Sequence, residues 1–472
     1  MRLTVAEVAA ATGGTLLSGD PGVSAVGVSI DSRTLVPGEL FVALRAERDG
    51  HGFLPEAFER GAAAALVSRR EPLPELPADA SLVLVADTAA ALTALGRLAR
   101  GRLEGVPVVG ITGSTGKTST KDLATAALSA GLAVCASPGS FNNEFGLPLT
   151  LLAATGATGV VVAEMGARGI GHIAALAEVA RPTVGVITNI GIAHAEFFGS
   201  RAEVAQAKGE LLEALPADGT AVLNADDDMT PGLAGRSSAR VLTAGLGPSA
   251  DFRVSGITLD GELRPSFRLE TPWGGADVSA LPLRGAHQAG NAAFAVAVAG
   301  VLGVGLESAV AGLARAAGSP WRMELCRTPA GLLVLNDAYN ANPTSMAAAL
   351  EALCSFDLSG GHPPTPGGAG RRFAVLGPMA ELGACSDDEH RRLGRLVAAC
   401  GLAALVAVGP EDGPLAESAR EGGVDVIVVD GPEGAIEALT PRLRAGDAVL
   451  VKASRVAGLE RLAAALEALP LQ

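Results

Sequence analysis

In the stretch Gly110-Ile-Thr-Gly-Ser-Thr-Gly-Lys-Thr118, glycines, a lysine and hydroxyls stand at spacings suited to holding a triphosphate. Glycines let backbone N–H groups come close to phosphate oxygens. A helix opening at Lys117 adds the positive end of its dipole, Lys117 a mobile charge, and Thr118 a hydroxyl for magnesium. The expected nucleotide contacts are therefore Gly113, Ser114, Thr115, Gly116, Lys117, Thr118 and Ser119. The common phosphate loop has four residues between its first glycine and the Gly-Lys pair. Here that first place holds Ile111 and the glycine, Gly110, comes one position early, which marks a particular subtype of ATP site.

In a parallel sheet, ligands gather beyond the carboxyl ends of the strands, so polar residues at those ends carry the most information. Glu164 closes the apolar run 160–163 and offers a carboxylate to the magnesium that Thr118 also reaches; the plainer reading is a surface glutamate. Asn189 and His194 follow the next run, and His194 on spacing alone fits a structural role as well as a ligand's. Lys208, in Ala207-Lys-Gly-Glu210, is by itself a solvated helix lysine. His287 and Asn291 precede an apolar helix and would pass as a cap. Arg322 follows Pro320-Trp321. Asp337 and Tyr339, the single tyrosine, stand in the turn-rich sequence 336–345, which reads as an exposed loop and not a core.

The elements that must position these residues follow from pattern. A length of 472 residues suggests three domains, at roughly 150 residues each. Residues 1–103 open with a short helix, where Thr4 and Glu7 have capping-box spacing and Gly13-Gly14 ends it. Short strands are expected there at 25–30, 40–44, 64–67 and 82–85. Over residues 104–320, strand runs at 106–111, 159–163, 183–188 and 220–223 alternate with helices, the first of them reaching residue 131. Residues 321–472 repeat that rhythm, with strands at 332–335, 373–376, 404–408, 424–429 and 448–451 and helices at 388–400 and 434–443. The expected fold is α/β: a small N-terminal α/β domain, a central parallel-sheet domain carrying the phosphate loop, and a C-terminal Rossmann-like domain. Residues 359–370 read as a flexible surface insertion without chemistry.

Composition narrows the function classes. Apolar residues make up 49% of the chain but aromatics only 3%, so the cores must be built from small aliphatic side chains. A net charge of −14 argues against nucleic acid or an anionic membrane as partner. Five scattered cysteines without C-x-x-C spacing suit buried thiols in a reducing cytoplasm, not disulfides or zinc. The N-terminus lacks the apolar core of a signal peptide, and the longest apolar run, 292–305, is too short to span a bilayer. A cytoplasmic protein without membrane insertion is expected.

Taken in order, these motifs resemble the Mur ligase family, the ATP-dependent amide-forming enzymes of peptidoglycan precursor synthesis. The likeness lies in the phosphate loop 110–118, Phe141-Asn-Asn-Glu-Phe-Gly146 with its continuation to Leu152, Glu164-Met-Gly-Ala167, Thr188-Asn-Ile-Gly-Ile-Ala-His194, Phe198-Gly-Ser200 and Ala207-Lys-Gly-Glu210. It extends to Asp31-Ser-Arg33, Pro37-Gly38 and Leu40-Phe-Val-Ala-Leu44 near the N-terminus. Asn336-Asp-Ala-Tyr-Asn-Ala-Asn-Pro-Thr-Ser345 points to the branch that joins D-alanyl-D-alanine to UDP-N-acetylmuramoyl-tripeptide. Three places depart from the family pattern: Arg45 to Asp49 before Gly50-His51, Ala380 within Gly377-Pro-Met-Ala-Glu-Leu-Gly383, and Ala453 within Lys452-Ala-Ser-Arg455.

The resemblance implies ATP and Mg2+ as reactants, an acyl-phosphate intermediate and a monomer. It places Asn291, Arg322, Asp337 and Tyr339 beside the nucleotide, with Arg322 and Lys117 catalytic. Ser32, Arg33, Asn142 and Asn143 would bind the UDP-linked substrate. Metal would be held by Thr118, Glu164, His194 and Lys208, the last as a carbamate. The phosphate loop alone also permits a kinase or nucleotide-hydrolysing switch, and the fold alone a binding protein without catalysis. Within the ligases, the alternatives add a single amino acid to a muramoyl peptide or glutamate to folate.

Overall fold

Three sheets, each drawn from its own stretch of sequence, form the framework of the computed structural model, which describes residues 1–71, 73–191, 195–358, 370–410 and 413–469. Most of the insertion read at 359–370, namely 359–369, lies outside the described residues, as does His194. The N-terminal helix Val5–Thr12 has the expected capping box between Thr4 and Glu7, and Gly13 ends it in the left-handed conformation. Four mostly parallel strands and one antiparallel edge, Thr15–Ser18, make the N-terminal five-stranded sheet. The run expected at 25–30 is instead two short strands, Ser24–Ala25 and Val28–Ser29, which pair in different sheets.

The central sheet has nine strands. Six run parallel, in the order Val134–Ala136, Val160–Glu164, Val108–Thr112, Val184–Ile187, Thr220–Asn224 and Arg240–Gly245, and Phe252–Leu259 pairs parallel beyond them. The chain winds to one side of Val108–Thr112 and then to the other, so this strand lies at the topological switch where crevices form. An antiparallel extension, Pro265–Thr271 and Gly274–Val278, completes the sheet and was not anticipated from sequence. Pro265–Thr271 alternates buried and exposed residues and Gly274–Val278 buries only Val278, a weaker signal than the continuous apolar runs of the central strands.

Both faces of the central sheet are covered. On one, the alanine-rich helix Gln288–Val301 packs beside Lys117–Leu128, which ends three residues before the expected stop at 131. On the other, Leu92, Leu95 and Ala99 of the N-terminal helix Thr88–Gly101 share one apolar cluster with Leu147 and Leu151 of Gly146–Ala153. The N-terminal and central regions are therefore joined by a common core.

The C-terminal sheet has six strands in the order Glu324–Arg327, Leu333–Asn336, Ala448–Lys452, Arg372–Leu376, Ala404–Val408 and Val426–Val429, parallel except for the first. Helices Pro343–Cys354, Ser386–Ala399, Pro414–Glu421, Pro432–Leu439 and Glu460–Glu467 complete it. All five cysteines are free thiols and half-buried, where sequence suggested buried ones. Among the described residues, no helix is long and apolar enough to cross a membrane.

Candidate active site

Strand register sets the floor of the site. Glu164 pairs with Ile111 and Ile187 with Thr112, so three strands end at one level and release their polar residues together. The loop then turns at Gly113 (φ 145°) and Gly116 (φ 78°). A Cβ on Gly113 would lie 1.9 Å from Thr188 Oγ1, and one on Gly116 2.8 Å from Asn291 Oδ1, so both places require glycine. The next strand's end braces the loop: Ser114 N and Thr115 N donate to Asn189 Oδ1 (3.1 and 2.9 Å), and Thr188 Oγ1 donates to Thr115 O (2.5 Å). The first amides of the helix Lys117–Leu128 have no intrahelical acceptor and face the cleft.

Glu164, almost wholly buried, accepts from Thr118 Oγ1 through one oxygen and from Asn142 Nδ2 through the other, each at 2.8 Å. Hydroxyl and carboxylate thus form a hard-oxygen pair at the helix N-terminus, which fits magnesium. Among the described residues no group of three His, Cys, Asp or Glu could hold a metal, so phosphate oxygens and water would complete the shell. Lys117 Nζ donates to Gly113 O (2.7 Å). Burial lowers its proton affinity below the usual lysine range, with Glu164 opposing and Arg322 reinforcing.

Lys208 is the most consequential residue of the helix Arg201–Glu213. It is only 2% exposed, and among the described residues nothing bonds to its amine. Burial, and then the charge of Lys117, push its pKa far below the usual lysine value, so the neutral amine is favoured. Two positions on, Glu210 caps the helix His172–Ala180 through Gly171 N (2.5 Å) and Ala174 N (2.9 Å), which fixes how the Lys208 helix faces the cleft.

The C-terminal domain supplies the opposite wall. The Arg322 guanidinium lies 4.1 Å from the centre of the Tyr339 ring, and its Nε has no bonding partner among the described residues. Asp337 Oδ2 accepts from the buried Lys452 Nζ (2.5 Å), which also donates to Asn340 O (2.8 Å). Desolvation lowers the Lys452 pKa, although Asp337 opposes it. The Tyr339 hydroxyl bonds Ser140 Oγ across the domain boundary, so its ring is half-buried in the cleft and not in an open loop. The walls enclose a cavity of about 610 Å3 that includes Lys117, Glu164, Lys208, Asn291, Arg322 and Asp337.

Most residues singled out from sequence meet at this cavity: Ser114 to Ser119, Asn142, Asn143, Glu164, Lys208, Asn291, Arg322, Asp337 and Tyr339 all line it. Asn143 Oδ1 caps its own loop through Gly146 N (2.9 Å). His287 begins the helix Gln288–Val301 without a side-chain cap bond and faces the same cavity. Ser32 and Arg33 lie elsewhere, in the N-terminal domain. The Ser32 hydroxyl is buried and donates to Glu56 Oε2 (2.9 Å), while the exposed Arg33 pairs with Asp31 (2.6 Å). Sequence reasoning gave no role to Lys452 or Ser140. A lysine ending the apolar strand Ala448–Lys452 was the available signal for the first; Ser140, in an irregular loop, had none.

The Mur ligase middle domain matches residues 111–299, and the Mur ligase glutamate ligase domain matches residues 321–455. The UDP-N-acetylmuramoyl-tripeptide–D-alanyl-D-alanine ligase of Mycobacterium tuberculosis is 41% identical, over 99% of this chain and 98% of its own. The crystal structure of MurF from Acinetobacter baumannii superposes with a TM-score of 0.84 at 32% identity, covering 99% of both chains. That of the Thermotoga maritima MurF ligase in complex with ADP gives a TM-score of 0.75 at 30% identity, covering 94% of this chain and 97% of the other.

Lys208 gives a pH signature. Its pKa is lowered on folding, so the unfolded chain holds this proton more tightly than the native protein does, and the stability contribution rises with pH up to the ordinary lysine value. In bicarbonate-free buffer, Lys208→Met is expected to be more stable than the parent at pH 7, with an advantage that shrinks as pH approaches about 10.4. Urea unfolding at a series of pH values checks this; an advantage that is constant or grows with pH contradicts a neutral buried amine.

Proposed function

Because the chain belongs to the Mur ligase family, we propose that it is the ATP-dependent ligase that joins D-alanyl-D-alanine to the peptide carboxylate of UDP-N-acetylmuramoyl-tripeptide in peptidoglycan precursor synthesis. The observation that carries the reading is the single cavity in which the phosphate loop, the Thr118–Glu164 pair, Lys208 and Arg322 converge. A kinase or nucleotide-hydrolysing switch needs the loop but has no use for a buried lysine of lowered proton affinity facing it.

A carboxylate is a poor electrophile, and ATP makes it reactive. A peptide carboxylate oxygen attacks the γ-phosphorus, the bond to the β-phosphate oxygen breaks, and ADP leaves an acyl phosphate behind. The amine of D-alanyl-D-alanine then attacks the carbonyl carbon and phosphate departs with its electron pair, the amine losing a proton. The first step brings two anions together, so its barrier is electrostatic. Lys117 and Arg322 lie on opposite walls to neutralise it. Asp337, Asn291 and Tyr339 line the same cavity and would contact the nucleotide. Asn142 and Asn143 would meet the peptide, and Ser32 and Arg33 the distant UDP end.

Magnesium would be held by Thr118 and Glu164, and a second ion by His194 and Lys208; bound metal supplies charge neutralisation for the phosphates. For Lys208 to serve, its neutral amine adds to carbon dioxide and loses a proton, giving a carbamate. The lowered pKa supports this, because only the unprotonated amine has the lone pair to react. The C-terminal wall excludes water, which would otherwise hydrolyse the acyl phosphate. ATP and UDP-linked precursors place the protein's work in the cytoplasm.

Phosphate release from ATP is expected to require both UDP-N-acetylmuramoyl-tripeptide and D-alanyl-D-alanine for steady turnover, and a folded Lys117→Ala variant to lose about 100-fold or more in kcat. Equal release from ATP alone would favour a nucleotide hydrolase, and a fully active variant would remove Lys117 from the mechanism.

Lys208→Ala is expected to be nearly inactive and unresponsive to bicarbonate, but partly restored by a small carboxylic acid that fills the vacated space. An active Lys208→Ala enzyme contradicts the carbamate.

A further inference from the structure

Lys121 and Asp122 lie one turn beyond Lys117 and Thr118 on the helix Lys117–Leu128, stacked on the same faces because residues four apart are neighbours. Neither lines the cavity. The buried Lys121 ammonium donates to Ser137 O (2.9 Å) and Gly139 O (2.7 Å), and Asp122 Oδ1 lies 2.9 Å from it. Its three protons are thereby matched by three acceptors. The other Asp122 oxygen accepts from Ser319 N (3.1 Å) and Ser319 Oγ (2.8 Å).

The two gripped segments meet again across the cavity. Ser137 and Gly139 lead into Ser140, which bonds the Tyr339 hydroxyl, and into Asn142, which holds Glu164. Ser319 leads into Trp321, whose carbonyl accepts from Tyr339 N (3.1 Å), and into Arg322, whose guanidinium covers the Tyr339 ring. Tyr339 is thus held at its hydroxyl, its backbone and its ring face by segments that one ion pair anchors to the phosphate-loop helix. The first turn of that helix faces phosphate and metal, and the second holds both ends of the clasp.

We propose that Lys121 and Asp122 are positioning residues that couple nucleotide at Lys117 and Thr118 to the seating of the C-terminal domain on Tyr339. This builds on the ligase reading above. Removing either partner leaves buried charge or carbonyls uncompensated, so the 137–142 loop and the 319–322 connector lose their common reference. The phosphate loop itself, braced by Thr188 and Asn189, keeps its shape.

The test uses the full-length protein carrying donor and acceptor dyes on the central and C-terminal domains, with a non-hydrolysable ATP analogue as probe. Lys121→Met, Asp122→Ala, Ser319→Ala and the Asp122→Ala/Ser319→Ala double variant are compared with the parent. Ser319 is a half-exposed connector residue, so its variant remains informative if the buried substitutions do not fold. Expected is analogue affinity within about threefold of the parent in every folded variant, a reduced energy-transfer change, and a kcat lower by about tenfold, the double variant being no worse than Asp122→Ala. A Ser319→Ala enzyme with the parent's energy-transfer change and kcat overturns the proposal. So does a loss of analogue affinity in step with kcat, which would mean a damaged phosphate loop. The energy-transfer arm needs no acceptor, so a parent that fails to ligate D-alanyl-D-alanine counts against the ligase reading alone.

Discussion

Basic side chains crowded into one desolvated cleft, beside the carboxylates of Glu164 and Asp337, are the constraint around which this protein is built. Lys117 and Lys208 share that cleft with Arg322, and the field of Lys117 adds to burial in lowering the proton affinity of Lys208. Such an arrangement is unfavourable for the isolated protein and is completed by anions. The substrates of an acyl phosphate-forming ligase bring two, a triphosphate and a carboxylate, which would repel one another in water.

The scaffold serves this arrangement at several levels. Strand register brings the ends of three parallel strands level beneath the phosphate loop. Two glycines whose Cβ atoms would collide with Thr188 and Asn291 fix the loop's path. Small side chains let Gln288–Val301 lie close to Lys117–Leu128, which brings Asn291 to the loop and explains why so few aromatics suffice for the core. The C-terminal sheet then presents Asp337 and Lys452 from two neighbouring parallel strands, registered so that Asn336 lies beside Val451.

The motifs and the parallel strands Val108–Thr112, Val160–Glu164, Val184–Ile187 and Thr220–Asn224 were legible in the sequence because they are local: glycine spacing, apolar runs and the Thr4–Glu7 cap each occupy a few consecutive residues. The parallel strands Val134–Ala136, Arg240–Gly245 and Phe252–Leu259 were not anticipated. Glu164 was legible as the polar residue that ends a buried run. The antiparallel strands Pro265–Thr271 and Gly274–Val278 were not, since the first buries only one face and the second buries only Val278. Ser140 meets Tyr339 from 199 residues away, and no local pattern encodes such a pairing. The contrast is sharpest for Lys208, which is an ordinary helix lysine by sequence and becomes a buried amine of lowered proton affinity only through what folds over it. Ser32 shows the reverse case, a motif residue whose hydroxyl is engaged by Glu56 inside its own domain.

The account stands on direct attack of a peptide carboxylate on the γ-phosphate within this cleft. Its most direct test is to label the terminal carboxylate of UDP-N-acetylmuramoyl-tripeptide with oxygen-18, run the reaction with ATP and D-alanyl-D-alanine, and analyse the released phosphate by mass spectrometry. Transfer of the label from the carboxylate into inorganic phosphate, one oxygen for each amide formed, is the result expected. Phosphate free of label, alongside normal amide formation, would contradict it.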